Sequence, residues 1–148
     1  MIKEDYVSFE TAKLLKEKGF REWCRECYGT DVRHNGVSIS FDEELDLKDE
    51  GRGDEIEYVE GGIMHNLNCN NSDKDIYAAP TLSMAMKWLR ENHNIKVNVF
   101  YNNSNYTIEY FEPNTQTGVG KFVFIGDGYP TYEQACEGAI KYCLENLI

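Results

Sequence analysis

The second half of this chain, residues 79–148, changes between helical and strand patterns with a capping or turn signal at almost every change. Thr81 precedes an apolar helical pattern over residues 82–92, and Thr131 begins a Thr-x-x-Gln capping box before a second helical pattern. Three segments between these helices alternate apolar and polar side chains, which indicates strands: residues 96–101, 106–112 and 121–125. The predicted order is therefore helix, strand, strand, strand, helix.

This order limits how the second half can fold. The connections between the strands are short, which favours an antiparallel meander. The helix over residues 82–92 carries apolar side chains over roughly 200° of its surface, so it must be covered on two sides. We therefore predict an α+β fold in which a three-stranded antiparallel meander has helices packed on one face, preceded by an N-terminal helix and a hairpin. Gly126-Asp127-Gly128 is expected to end the third strand.

The first half contains a helix and a hairpin. Ser8 is a good N-cap for the first helix, and Gly19 is placed for a left-handed C-cap. Residues 23–28 are expected to form a short helical turn or irregular structure. Residues 31–41 alternate around a His-Asn-Gly turn, which predicts a hairpin.

The remaining segments are polar. A strand is expected over residues 55–59 and a break at Gly61-Gly62. Residues 42–54 are highly acidic and residues 66–75 are rich in Asn, so both are predicted to be mobile polar loops. The whole chain, residues 1–148, is predicted to form a single domain.

Composition and charge narrow the class of protein. The formal net charge is −11. Residues 1–79 carry 10 basic and 19 acidic side chains, whereas residues 80–148 carry 5 and 7. Such a field repels phosphate, so nucleic acid and anionic membrane are unlikely partners. No apolar run approaches the roughly 20 residues that cross a bilayer, and the charged N-terminus has no apolar signal core. A cytoplasmic protein is expected.

The five cysteines raise two questions of chemistry. An odd number in a chain of this kind is typical of reduced thiols. Cys136 and Cys143 are seven residues apart, so they are expected on the buried face of the last helix. Cys24 and Cys27 form a Cys-x-x-Cys pair that could join His65 and Cys69 in a zinc site, but the spacing of the second pair is unusual. A redox role is disfavoured because no strand precedes the pair. We predict no metal, no cofactor and no catalytic residue.

Three blocks of the sequence resemble a family of short uncharacterised proteins encoded by gut Bacteroides-group bacteria and their prophages. The blocks run from Val7 to Phe20, from Ala79 to Glu91 and from Gly128 to Glu137, about a quarter of the chain. The family has no assigned activity, so the resemblance implies no site residues. It does imply a phage or mobile-element context, and residues 32–75 are long for the family.

The functional expectation follows from what the motifs lack. The helix-strand-strand-strand-helix order matches that of double-stranded-RNA-binding domains, which grip phosphate with a Lys cluster at the start of the final helix. Here that helix begins Tyr132-Glu133-Gln134 and holds a single lysine, Lys141. The leading prediction is a small non-enzymatic module that binds another protein. The alternatives are an acidic mimic of nucleic acid that acts on a DNA-binding protein, and a double-stranded-RNA-binding-like module.

Overall fold

A computed structural model describes residues 1–34, 37–39, 56–74 and 76–148, and its backbone divides into two compact units. Unit 1 comprises Met1–Phe20 and Pro80–Ile148, and unit 2 comprises Arg21–Ala79. The helices and strands of unit 1 are α1 (Phe9–Glu17), α2 (Leu82–His93), β5 (Lys96–Asn102), β6 (Asn105–Glu112), β7 (Lys121–Tyr129) and α3 (Tyr132–Asn146). The strands of unit 2 are β1 (Cys27–His34), β2 (Val37–Ile39), β3 (Ile56–Met64) and β4 (Tyr77–Ala78). No helix among the described residues is long and apolar enough to cross a membrane.

Unit 1 is built on a three-stranded antiparallel sheet in the order β5-β6-β7. One part of its core is the buried cluster of Ile108, Ala135 and Ala139, which joins the central strand to α3. Val97 and Val99 of β5 pack against the same cluster, as do side chains of β6 and β7. α2 packs on both β5 and α3. The predicted α+β fold, with a meander between two helices, is confirmed.

The predicted helix caps of unit 1 are confirmed. Ser8, Thr81 and Thr131 each accept a hydrogen bond from the backbone amide three residues later. The C-terminal ends of α1 and α2 use residues in the left-handed conformation. Gly19 follows α1 with φ +94°, and Asn94 ends α2 with φ 54°. These ends are therefore set by local sequence.

One contact between distant helices is added to these local caps. The Glu137 carboxylate on α3 accepts hydrogen bonds from the Ser8 backbone amide (3.1 Å), the Ser8 hydroxyl and the Thr11 hydroxyl (2.6 Å). All three bonds end on Oε1, while the buried Oε2 has no hydrogen-bond partner. Lys141, one turn further along α3, pairs with Glu10 at 3.0 Å. Side chains of α3 therefore bind the N-terminal end of α1 by hydrogen bonds and an ion pair.

Unit 2 is also a sheet, in which β1 is the central strand. β3 pairs with the full length of β1, whereas β2 and β4 pair with opposite ends of it, all antiparallel. The β1–β2 pair confirms the predicted hairpin. Residues 23–28 were expected to form a helical turn or irregular structure. They contain no helix: residues 25 and 26 are irregular, Cys24 forms a β-bridge to Cys69, and β1 begins at Cys27.

Two predicted breaks are wrong, and bulges explain both. β3 continues through Gly61-Gly62, where the register with β1 shifts by one residue between Gly29 and Thr30. A bulge absorbs the extra residue, so a glycine pair there does not end the strand. β7 likewise continues to Tyr129 through irregular pairing with β6, and Gly128 takes a positive φ of +80°.

The predicted mobility of the two polar loops and the predicted single domain are not decided by the described residues. Residues 42–54 lie outside the described residues. Residues 66–74 form no helix or strand, but Asn71 is buried and its side-chain oxygen accepts a 2.6 Å hydrogen bond from the Ala78 amide. The mobility of this loop stays a prediction, and so does the single domain.

Candidate binding face and cysteine cluster

Four phenylalanines lie on the face of the β5-β6-β7 sheet that points away from the helices. The strand register places them there: Phe111 pairs with Phe122, Phe124 pairs with Glu109, and Phe100 pairs with Thr107. Side chains alternate between faces along a strand, and the helix-facing set is the one that contains Val99 and Ile108. We call Phe100, Phe111, Phe122 and Phe124 the open aromatic face.

The two residues from β7 are the most exposed part of this face. Phe122 is 57 % exposed and Phe124 is 61 % exposed, whereas Phe100 and Phe111 are half-buried. The rings of Phe111 and Phe122 meet edge to face with their centroids 5.5 Å apart. Large apolar side chains grouped on one exposed surface are a usual mark of a binding site.

A glycine holds the border of the open aromatic face. A Cβ atom on Gly120 would lie against the Phe111 ring and 2.7 Å from the Glu112 carbonyl oxygen. Only glycine therefore lets the chain before β7 pass this close to Phe111. The Phe111 ring is therefore packed between the backbone at Gly120 and the ring of Phe122.

Few charges interrupt the open aromatic face. Glu109 lies beside Phe124, and its carboxylate accepts a 2.9 Å hydrogen bond from the Asn98 side chain on β5. Lys96, at the start of β5, pairs with Phe111. The face therefore presents aromatic rings beside the Glu109 carboxylate and the Lys96 side chain.

Unit 2 contains the second candidate, a cluster of three cysteines. Cys27 and Cys69 form a disulfide with their Cα atoms 6.5 Å apart. Cys24 exchanges both backbone hydrogen bonds with Cys69, at 2.8 and 2.9 Å. The expectation that all cysteines are free thiols is therefore wrong, because the folding of residues 64–69 onto residues 24–27 brings distant cysteines together.

His65, the remaining residue of the possible zinc site, is held elsewhere. Its Nδ1 lies 2.6 Å from Oε2 of Glu26, a buried carboxylate, while the imidazole itself is exposed. Glu26 immediately precedes Cys27, and adjacent residues of an extended chain project to opposite sides. The structure thus brings Cys24, Cys27 and Cys69 together and leaves His65 in a separate contact with Glu26.

The remaining thiols are buried and protonated. Burial raises the pKa of Cys24 to about 12, with a smaller contribution from the nearby Glu22 carboxylate. Burial also raises the pKa of Cys143 to about 12. Cys136 and Cys143 are buried on α3, as predicted. With the disulfide formed, the described residues contain no group of three His, Cys, Asp or Glu side chains that could hold a metal ion.

A cavity in unit 1 is the place where a catalytic group could be sought. It has a volume of about 600 Å³ and is lined in part by Asp5, Ser8, Tyr129, Glu133 and Glu137. No histidine or free thiol lines it, and the Oε1 atom of Glu137 is already occupied by Ser8 and Thr11. This cavity therefore combines carboxylates with the Ser8 hydroxyl, which already donates a hydrogen bond to Glu137.

Sequence reasoning missed the open aromatic face. The signal was present in β7, where Lys121-Phe-Val-Phe-Ile125 has apolar side chains on both faces of the strand. A strand with two apolar faces is covered on both sides or carries a binding surface.

Comparison with protein-family models, with curated proteins and with solved structures finds no match to this chain.

Proposed function

We propose that this protein is a small non-enzymatic module that binds another protein through the open aromatic face. The exposure of Phe122 and Phe124 on a single sheet surface is the observation that carries this proposal. Aromatic side chains are enriched in protein interfaces because each buries a large apolar area at a small entropic cost. The resemblance of three sequence blocks to prophage-encoded proteins supports a phage or mobile-element origin.

Charge supports a protein as the partner. The chain carries a net charge of −11, which disfavours any polyanion at long range. A neutral or basic protein surface with apolar side chains complements both this field and the rings of the open aromatic face. The face also adjoins β7, which pairs only with β6 among the described strands, so a partner strand could extend this sheet.

Acidic mimicry of nucleic acid is the second candidate, and it would use a different part of the chain. Unit 2 carries 6 basic and 15 acidic residues, whereas unit 1 carries 9 basic and 11 acidic residues. Mimicry would therefore depend on unit 2 and on charge. Binding through the open aromatic face depends on unit 1 and on apolar contact, which salt does not weaken.

A pull-down with paired variants tests the proposal. Tagged protein is incubated with lysate of a gut Bacteroides-group bacterium, washed at low and at high salt, and compared with Phe122→Ser/Phe124→Ser and with Trp23→Ser. Trp23 is an equally exposed aromatic of unit 2 and serves as the matched control. We expect one stoichiometric partner that survives high salt and whose affinity falls at least about tenfold in the double variant.

Each outcome bears on a different surface. Retention by Trp23→Ser together with loss in the double variant supports the open aromatic face. A partner that high salt releases and that the double variant still captures contradicts it and supports mimicry by unit 2. Circular dichroism of each variant verifies that the substitutions, all at exposed positions, leave the fold intact.

A further inference from the structure

The cysteine cluster of unit 2 has chemistry that protein binding through unit 1 does not use. Cys24, Cys27 and Cys69 are 5 %, 0 % and 9 % exposed, so their sulfur atoms are enclosed by protein. Two of these sulfurs are bonded to each other, and the third belongs to a residue that pairs directly with Cys69. A lone buried cysteine is an ordinary core residue, whereas three that converge from distant positions require a separate explanation.

Backbone geometry places Cys24 and Cys27 beside Cys69, and the Cys24 sulfur lies 3.7 Å from the Glu22 carbonyl oxygen in the oxidised protein. Residues that exchange both hydrogen bonds across an antiparallel pair have Cα atoms about 5.5 Å apart and side chains on the same side. Cys24 therefore lies as close to Cys69 as Cys27 does, whose Cα is 6.5 Å away. Met64, which pairs with Cys27 in the sheet, adds a buried thioether beside them.

The spacing of the cysteines matches a known mode of metal binding. Cys24 and Cys27 have the Cys-x-x-Cys spacing of a zinc knuckle, in which two thiolates of one turn bind the same ion. Thiolates select soft and borderline cations such as Zn²⁺ over Mg²⁺ and Ca²⁺. Three protein ligands leave one of the four positions of tetrahedral zinc to a water molecule.

We propose that, when the Cys27–Cys69 disulfide is reduced, Cys24, Cys27 and Cys69 bind one thiophilic divalent cation of the zinc type. A dithiol reductant transfers two electrons and two protons to the Cys27–Cys69 disulfide. The reductant becomes a disulfide, and Cys27 and Cys69 become thiols. The cation then displaces protons from the thiols as the three sulfur–metal bonds form. The same residues therefore hold a disulfide under oxidising conditions and a metal ion under reducing ones.

Cobalt binding to the full chain tests this site. Protein reduced with a phosphine under anaerobic conditions is titrated with Co²⁺ and followed by absorption. We expect one equivalent to produce sulfur-to-cobalt charge-transfer bands and the visible bands of tetrahedral cobalt. The oxidised protein should produce neither. Native mass spectrometry with Zn²⁺ should give one ion per reduced chain and none per oxidised chain, a result that depends on no variant.

Variants assign the ligands. Cys24→Ser leaves Cys27 and Cys69 in place, and it should weaken cobalt binding by more than the 10- to 100-fold typical of losing an outer-shell contact. Circular dichroism of the reduced variant and of the reduced wild-type protein verifies that both are folded. Cys136→Ser and Cys143→Ser, which alter buried thiols of α3, should leave the spectrum unchanged. Absence of the bands from reduced wild-type protein overturns the proposal, and so does their persistence in Cys24→Ser. Their loss in His65→Ala would overturn the three-thiolate assignment.

Discussion

At the scale of single residues, Glu137 is the side chain on which most of the α1–α3 contact depends. Its Oε1 atom accepts three hydrogen bonds from Ser8 and Thr11, which lie at least 126 positions away in the sequence. Hydrogen bonds to a carboxylate are stronger than neutral ones, and Thr11 is fully buried. Removing Glu137 would therefore leave the buried Thr11 hydroxyl without this acceptor.

Glu137→Ala is expected to lower the free energy of unfolding by about 2 kcal/mol, because it removes a charged acceptor from the buried Thr11 hydroxyl and from two exposed donor groups of Ser8. Glu137→Gln retains one carbonyl oxygen and should cost less, about 1 kcal/mol. Lys141→Ala, on the same helix, breaks only the solvent-exposed pair with Glu10 and should leave stability nearly unchanged. Urea denaturation measures all three, and an equal loss in Lys141→Ala would contradict the role of Glu137.

This residue also indicates how far sequence can define a helix end. Ser8, Thr81 and Thr131 were identified as caps because a cap bonds to an amide three residues away, and both partners are in one short window. The carboxylate that completes the cap at Ser8 could not be identified in that way. Its position depends on how α3 packs against α1, and a single sequence contains no record of that packing.

At the scale of elements, two strands continue through glycine-containing segments at which they were expected to end. Gly61-Gly62 and Gly126-Asp127-Gly128 were predicted as breaks, yet β3 and β7 pass through both. A glycine that ends a strand and one that permits a bulge look the same in the sequence, because each relaxes the backbone. The partner strand decides between them, and its register is set by tertiary pairing.

Gly120 is the glycine whose replacement should matter most for the β6–β7 hairpin. Gly120→Ala brings a methyl group against the Phe111 ring and the Glu112 carbonyl, and the carbonyl cannot move without breaking the hairpin register. We expect a loss of about 1–3 kcal/mol in the free energy of unfolding. Gly126→Ala, within β7, is the matched control, since its Cβ would meet only the Tyr129 side chain, at 3.5 Å or more.

The same variant links the hairpin to function. A displaced Phe111 ring would disturb its edge-to-face contact with Phe122, so partner capture by Gly120→Ala should weaken while that by Gly126→Ala does not. Thermal denaturation followed by circular dichroism measures the loss of stability in Gly120→Ala, and the pull-down measures the loss of partner capture. Equal melting temperatures for the two variants would contradict the close approach at Gly120.

At the scale of the whole molecule, acidity and exposed aromatic surface belong to different units. The sequence already indicated the uneven charge and the α+β order of the second half, because both depend on composition and local periodicity. It did not indicate that Phe100, Phe111, Phe122 and Phe124 share a surface, since that follows from the register of three strands. The meeting of Cys69 with Cys24 and Cys27 was likewise an open possibility that only the pairing of unit 2 could decide.

The disulfide offers a test of whether the two units unfold together. It joins residues 42 positions apart, and the loop it closes lies within unit 2. Closing a loop of this length stabilises a fold by about 4 kcal/mol when the effect is assigned to the entropy of the unfolded chain. Cys27→Ser/Cys69→Ser should therefore reduce the hydrogen-exchange protection of β1 and β3 by up to that amount.

Amides in α2, β6 and α3 of unit 1 should keep their protection in the double variant, because β1, β2, β3 and β4 pair only with one another among the described strands. Cys24→Ser, which leaves the disulfide in place, is the control and should leave both sets of amides protected. Hydrogen exchange followed by mass spectrometry resolves the two sets. An equal loss of protection in both units would mean that the chain unfolds as one cooperative body, as the single-domain prediction requires, and the disulfide would then stabilise the whole molecule.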